Sequence, residues 1–579
     1  MEYDAEAKAD WLCQGTPPNA PADKMAGFVK LPKQILMKGS RPVNRLYSRP
    51  RRALAPAFKP CYNRVTAEAA HSFPSFVSPF FRNSFRASRI RRKEVFQVVR
   101  LVTLLALILV LSSCAVAPQR EKGKDYASFP LANCRVEMDQ ADYWIAKLPE
   151  PDRLILTPRE IAELNQRGYK SGLLTDIFSE TLWDYKFIET DRSEEINPDA
   201  VWNTPAASCP GLVGGYTLYT YLKDETERIK ARVRFDLDGQ AVSRDVFAAL
   251  DENLNLWAIR EDNPIRYGLT VRRSDFRFYP TDMHMSSEIN DGDFDVIQVS
   301  AVAALQPVAI LHESRDKQWL FAVSAICRGW VKRRDVAEHC GQTELRPFLD
   351  PPRVLVVTGH SVGVVDSPGD TRVAERLYLG TSVPLVERQE SYYRVKLPAR
   401  DPETGCLKPW TGFIPAQADV HEGYLEYTPR QVYQKAFQLL RTPYSWGGKG
   451  EHRDCSQFIM DLHAAMGIKL PRNSSAQACM GTGRTLFNGR HSLEQRRLAL
   501  ARLQTPALLQ LPGHIMLYLG TEENNVYAIH DIWAYRVPDG GKDRKIIIGQ
   551  VTVSDLTLGE NSARKSLIER LTTVNCLKP

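Results

Sequence analysis

Two strand-like runs near the C-terminus constrain this chain most. Gly513-His514-Ile515-Met516-Leu517-Tyr518-Leu519-Gly520 and Val526-Tyr527-Ala528-Ile529-His530-Asp531-Ile532 flank a turn-rich Thr521-Glu522-Glu523-Asn524-Asn525. Such a pattern predicts an antiparallel hairpin. The midpoint of 514 and 530 is residue 522, inside the turn. The register therefore predicts His514 and His530 directly opposite each other, or within a residue of it. Two imidazoles meeting across a hairpin suit a base and the partner that orients it.

A base needs a nucleophile. Upstream, Phe458, Ile459, Leu462 and Met466 follow Cys455 at helical spacing, and Gly467 ends the run. Cys455 thus stands in the first turn of a helix, with Asp454 as its N-cap. Free N–H groups and the dipole at a helix start are expected to favour the thiolate and lower the thiol pKa. The same groups can hold an oxyanion. A lone buried Cys is usually core, and a lone His on an apolar strand usually a bonded core residue. Their joint arrangement favours catalysis. His312, His360 and His421 lie without evident partners, and surface or loop positions are expected for them. Cys479 lacks a helix-start context and is expected to be structural. There is no HExxH, carboxylate cluster or Cys/His spacing for a metal, and no cofactor is expected.

The rest of the chain divides into an α+β series of domains. Residues 236–425 read as short strands with an internal repeat. One copy runs Trp319-Leu320-Phe321-Ala322-Val323, Gly329-Trp330-Val331, Asp335-Val336. The other runs Tyr392-Tyr393-Arg394-Val395-Lys396, Gly412-Phe413-Ile414, Asp419-Val420. Two small tandem β-barrels, 236–345 and 346–425, account for the repeat; one continuous β-sandwich is the other arrangement compatible with it. Residues 129–235 read as a helical domain, with Thr157 as N-cap and Pro158 in the first helical position. The last domain, 426–579, opens with Thr428 and Pro429. Val432, Tyr433, Ala436, Phe437 and Leu440 then share one helical face.

The net charge of +8 suggests nucleic acid until it is located. Residues 1–113 carry roughly 19 Lys and Arg against about 7 Asp and Glu, so the remainder is slightly acidic. A nucleic-acid partner is therefore set aside. Residues 89–113 combine a basic cluster, Arg89 to Lys93, with the apolar run Leu101–Leu111 and then Ser112-Ser113-Cys114. This reads as a signal peptide, since the apolar run is about half the roughly 20 residues of a membrane span. Leu111-Ser112-Ser113-Cys114 resembles a lipoprotein lipobox, which implies acylation of Cys114 and a mature chain starting there. Ala115, in place of an Asp, points by the same resemblance to the periplasmic face of the outer membrane. Residues 114–128 read as a tether. Residues 1–88 are expected to be disordered or never made, with Val95 or Val98 as a start.

Pro443-Tyr444-Ser445-Trp446-Gly447-Gly448, Asp454-Cys455-Ser456, Leu470-Pro471-Arg472-Asn473-Ser474, Gln477, Gly513-His514 and His530 together resemble the NlpC/P60 family of papain-like peptidases. Gln457 departs from the Gly that many members carry after Asp-Cys-Ser. The resemblance implies a papain-like catalytic domain behind two bacterial SH3-like barrels and a helical domain. It implies cleavage of peptidoglycan stem peptides between D-γ-glutamate and a diamino acid such as meso-diaminopimelate, by a monomer. Cys455 would attack, His514 act as base and His530 orient it. Asp454 and Ser456 would receive the free amino end of L-alanine, and Tyr444, Trp446 and Ser474 would line the pocket. The first barrel would wall one side of the cleft. An amidase or acyl transferase on the same fold, and a non-catalytic wall-binding lipoprotein, are the competing readings.

Overall fold

The computed structural model describes residues 124–179, 218–259, 265–289, 291–339 and 342–578. The signal peptide, Cys114 and residues 1–88 lie outside the described residues. Helix Pro158–Lys170 starts where expected: Thr157 accepts from the Glu160 N–H, and the Glu160 carboxylate reaches back to the Thr157 N–H at 2.8 Å. Its buried Ile161 and Leu164 join Trp144, Leu425, Val432 and Tyr433 in the core of the C-terminal region. Helix Leu218–Lys230 sends Leu218, Leu222 and Ile229 instead into a core with Tyr267, Leu269 and Phe321. The helices before residue 235 thus divide their apolar faces between two cores.

Seven strands form the next sheet: β1 (Arg266–Thr270), β2 (Ser274–Arg277), β3 (Gln298–Val302), β4 (Pro307–Glu313), β5 (Trp319–Val323), β6 (Arg328–Lys332) and β7 (Val336–His339). Their order is β3-β2-β6-β5-β4-β1-β7. The following seven are β8 (Val354–Val357), β9 (Ser361–Val364), β10 (Glu375–Tyr378), β11 (Ser382–Arg388), β12 (Tyr392–Arg400), β13 (Leu407–Pro415) and β14 (Val420–Glu422). They run β13-β12-β11-β8-β14, with β10-β9 as a pair joined to β13 through the Val365–Phe413 bridge.

Adding seven to each strand of the first order reproduces the second. The sequence repeat is therefore a repeat of topology. Its glycines have one cause in both copies. A Cβ on Gly329 would lie 2.9 Å from the Arg277 carbonyl oxygen, and one on Gly412 would run into Val364. Each glycine sits where the second strand of its copy crosses the sixth.

The C-terminal sheet comprises β15 (Gly483–Leu486), β16 (Leu508–Leu511), β17 (His514–Glu522), β18 (Asn525–Asp539), β19 (Lys542–Asp555) and β20 (Thr573–Cys576), ordered β15-β20-β16-β17-β18-β19. Phe458, Ile459 and Leu462 of helix Cys455–Ala464 share a core with Leu517, Ile529, Val551 and Val553. Met516, Tyr518 and Ala528 pack instead with Leu500 of helix Leu493–Ala501.

Candidate active site

The β17–β18 hairpin turns more tightly than its sequence suggests. Glu522 pairs with Asn525, which leaves Glu523 and Asn524 as a two-residue turn with φ of 49° and 71°. An irregularity between Tyr518 and Gly520 then shifts the pairing, and Leu517 faces Ile529. Carried one step on, that register sets Met516, not His514, across from His530. The expected pairing within a residue is corrected to an offset of two. An even offset keeps both side chains on one face. Nε2 of His514 and Nδ1 of His530 are 2.7 Å apart, and Nε2 of His530 lies 2.8 Å from Oγ of Ser554 on β19. Both imidazoles are buried.

Helix Cys455–Ala464 is capped as expected: Asp454 Oδ1 accepts from the Gln457 N–H at 2.9 Å. The Cys455 sulfur lies near the backbone of Ile515, the residue after His514. Among the described residues no hydrogen bond joins that sulfur to the His514 imidazole. Thiol–imidazole contacts of this kind often tighten only when substrate is bound. The expectation of a lowered thiol pKa is corrected. Burial pushes the Cys455 thiol up, and the Asp454 carboxylate adds to it; the Ile515 N–H works the other way and is outweighed. Burial, then His530, holds His514 well below its ordinary value, and burial pushes His530 down to about 3. Thiol and imidazole therefore rest as a neutral pair.

Asp454 has a second role beyond its cap. Ser456 donates to Oδ1 at 3.2 Å, while Oδ2 accepts from the Gly447 N–H at 3.1 Å and from Arg472 Nη2 at 2.5 Å. Together with the Gln457 N–H, these donors fill the roughly four acceptor sites of a carboxylate. Arg472 also donates to Ser456 Oγ at 2.6 Å. Gln477 donates to the Ser456 and Pro471 carbonyls, each at 2.8 Å, and so ties the short helix Ser474–Gln477 to the Cys455 helix.

A model of the NlpC/P60 family matches residues 441–531, the stretch that holds Cys455, His514 and His530. The chain carries an NlpC/P60 domain. A model of the SH3 domain (SH3b1 type) matches residues 284–332, in the first of the two seven-strand copies. Among solved structures, an NlpC/P60 endopeptidase from Photobacterium damselae subsp. piscicida aligns with a TM-score of 0.61 and 19% identity, over 76% of this chain and 96% of that one. An NlpC/P60 family protein from Bacillus cereus aligns with a TM-score of 0.34 and 15% identity, over 49% of this chain and 83% of that one. The first likeness is one of fold. No curated protein sequence matches the chain.

The SH3 domain meets the NlpC/P60 domain at the loop carrying Tyr444 and Trp446. Phe294 lies 6.3 Å from the ring of Tyr444, 5.5 Å from that of Trp446 and 5.4 Å from that of Trp533. Gly447, at φ 65°, has no room for a Cβ, which would stand 2.5 Å from Gln298 Cγ. Lys449 Nζ pairs with Asp295 at 2.8 Å, and Arg472 Nε donates to Ser300 at 2.7 Å. The Trp446 loop, Asp454 and Ser456 thus meet at the start of the Cys455 helix, and His514 pairs with His530 on the sheet; Ser474 is half-buried at the start of the short helix that Gln477 ties to Ser456.

Sequence reasoning missed Ser554, Arg472, Asp295 and Phe294. Arg472 carried a signal, since it belongs to the quoted motif; the others lie in ordinary strand or loop sequence. His312 and His360 also differ from expectation. His312 is buried and bonded to the Leu254 carbonyl at 3.0 Å. His360 is 3.2 Å from Arg453 Nη1, two residues before Cys455.

Proposed function

We propose that the chain is a cell-wall cysteine endopeptidase that cleaves the D-γ-glutamyl–diamino acid bond of peptidoglycan stem peptides. The observation that carries this reading is the start of helix Cys455–Ala464 against the His514–His530–Ser554 chain. If His530 donates from Nε2 to Ser554, its Nδ1 accepts from His514 Nε2. That leaves Nδ1 of His514 unprotonated and ready for a proton.

The neutral pair then works in order. The Cys455 S–H proton passes to His514 as sulfur bonds to the scissile carbonyl carbon. The oxyanion meets free N–H groups of the first helical turn. The C–N bond breaks, and His514 returns the proton to the leaving amine. Water, giving its proton to His514, hydrolyses the thioester and restores the thiol.

Asp454 and Ser456 are the residues we assign to the free amino end of L-alanine. Arg472 already engages both, so an arriving ammonium shares an occupied carboxylate. Tyr444, Trp446 and Ser474 complete the pocket. The likeness to the Photobacterium endopeptidase agrees with a peptidase reading. We further propose that Cys114 anchors the chain by lipid at the envelope; the intact mass of the mature protein tests it.

Mass analysis of digested wall fragments tests the reaction. Release of L-Ala-γ-D-Glu by the wild type, and none by Cys455→Ala, is the expected result. Loss of whole stem peptides from muramic acid makes the enzyme an amidase, and full function in Cys455→Ala makes it a binding protein. His514→Ala is expected to abolish turnover. His530→Ala is expected to lower kcat by up to about 10⁴-fold and leave residual turnover, as loss of a triad's orienting member does; equal and complete loss in both removes the division of roles.

A further inference from the structure

The segment from Gly448 to His452 joins the Trp446 loop to the start of the Cys455 helix. Past Gly448, which ends the 3-10 turn Trp446–Gly448, it contains no regular helix or strand, and Gly448 and Gly450 stand at φ 67° and 69°. Such backbone does not hold its own shape. Its carbonyls converge on one guanidinium from another domain. Arg273, just before β2 of the first seven-strand copy, donates from Nη2 to the Gly448 and His452 carbonyls, each at 2.9 Å, and from Nε to Gly450 at 3.0 Å.

The Arg273 side chain is 6% exposed. On its other sides it meets the Tyr378 ring of the second copy, 5.2 Å away, and the Asp461 carboxylate, 3.9 Å away. Asp461 lies in the nucleophile's helix. It also takes Arg453 Nε at 2.8 Å and Gln457 Nε2 at 2.9 Å. One buried cation thus sits where both β-sheet copies and the NlpC/P60 domain meet, behind the segment that delivers Cys455. A cation in that position is costly unless its donors are used. The planar fork of arginine reaches the three carbonyls from two nitrogens held at fixed spacing, whereas the three N–H groups of a lysine share one nitrogen. Gly448 fits the same arrangement: a Cβ there would lie 2.9 Å from Gln457 Oε1 and 3.1 Å from Arg273 Nη2.

We infer that Arg273 is a positioning residue for the Cys455 reaction: by gripping three carbonyls of the segment before Cys455, it sets the sulfur relative to His514, which makes the first seven-strand copy part of the catalytic unit. The inference rests on Cys455 as nucleophile. It is independent of which stem peptide is cut.

The test uses the full chain carrying Arg273→Lys or Arg273→Met, with Cys455→Ala alongside. Readouts are kcat and KM on stem peptide, the melting temperature, and the pH profile of Cys455 alkylation by iodoacetamide, followed by mass. Arg273→Lys is expected to lower kcat about tenfold and Arg273→Met about a hundredfold, with KM within about twofold, as small misplacements of reacting groups do. The alkylation profile of Cys455 is expected to move in both. A purely structural role would lower the melting temperature and leave kcat and that profile in place. Where Arg273→Met fails to fold, Arg273→Lys decides. Wild-type kcat and alkylation in Arg273→Lys, with Cys455→Ala inactive, overturns the role of Arg273 alone. Turnover by Cys455→Ala overturns the nucleophile and this inference with it.

Discussion

The two seven-strand copies share their strand order and differ most in one connection. Between β2 and β3 the first copy runs through residues 278–297, burying Tyr279, Met285, Phe294 and Ile297. Between β9 and β10 the second has only residues 365–374, nearly all exposed. The long connection carries Phe294 and Asp295 to the Trp446 loop, whereas the short one ends in solvent. The second copy approaches the site from behind, through Tyr378 and His360. Equal topology thus hosts unequal roles, and the difference lies in loop length and in what the loop buries.

The largest expected effect separates the two connections directly. Asp295 is buried and accepts from Arg277 at 2.9 Å as well as from Lys449. Asp295→Ala leaves the buried Arg277 guanidinium uncompensated, which costs about 3–5 kcal/mol. Asp370→Ala, in the exposed connection of the second copy, is expected to change stability by less than about 0.5 kcal/mol. Urea unfolding of the two variants checks this; similar losses would erase the distinction between the copies. Phe294→Leu keeps apolar volume but loses three ring contacts, for about 1 kcal/mol. Its sharper mark is a raised KM, because Tyr444 and Trp446 lose their backing. An unchanged KM would reduce the first connection to a structural tie.

What was legible in the sequence follows from the range of the forces involved. The caps at Thr157, Thr428 and Asp454 were readable because each side chain bonds backbone three residues away. The Cys455 helix was readable from its buried spacing. The histidine pair was readable as a shared face but not in register, since the left-handed residues at Glu523 and Asn524 and the shift near Tyr518 are settled by tertiary packing. The direction of the Cys455 shift was not readable at all. A helix start is local, whereas desolvation depends on everything folded over it, and here desolvation is the larger effect. Arg273, Asp295 and Ser554 share that obscurity: each acts on residues far from it in the chain, and none sits in a motif.

The smallest expected effect belongs to the second copy and depends on pH. Burial, then the neighbouring Arg453 guanidinium, pushes His360 down to about 4, against about 6.5 in an unfolded chain. Between those values the unfolded chain binds a proton that the folded one refuses. The stability that neutral His360 contributes is therefore present above about pH 6.5 and is lost as the pH falls through about 4. His360→Asn removes this proton uptake. Its melting temperature should fall less than that of the wild type between neutral pH and about 4.5, while the two proteins stay close at neutral pH. His312 of the first copy is also held down by burial, but it bonds Leu254 far from the Cys455 helix. Acid should therefore loosen the contact of the second copy with Arg453 without touching the grip of the first on the Trp446 loop. A wild type and a His360→Asn variant that lose stability in parallel on acidification would show that the second copy does not sense pH through this histidine.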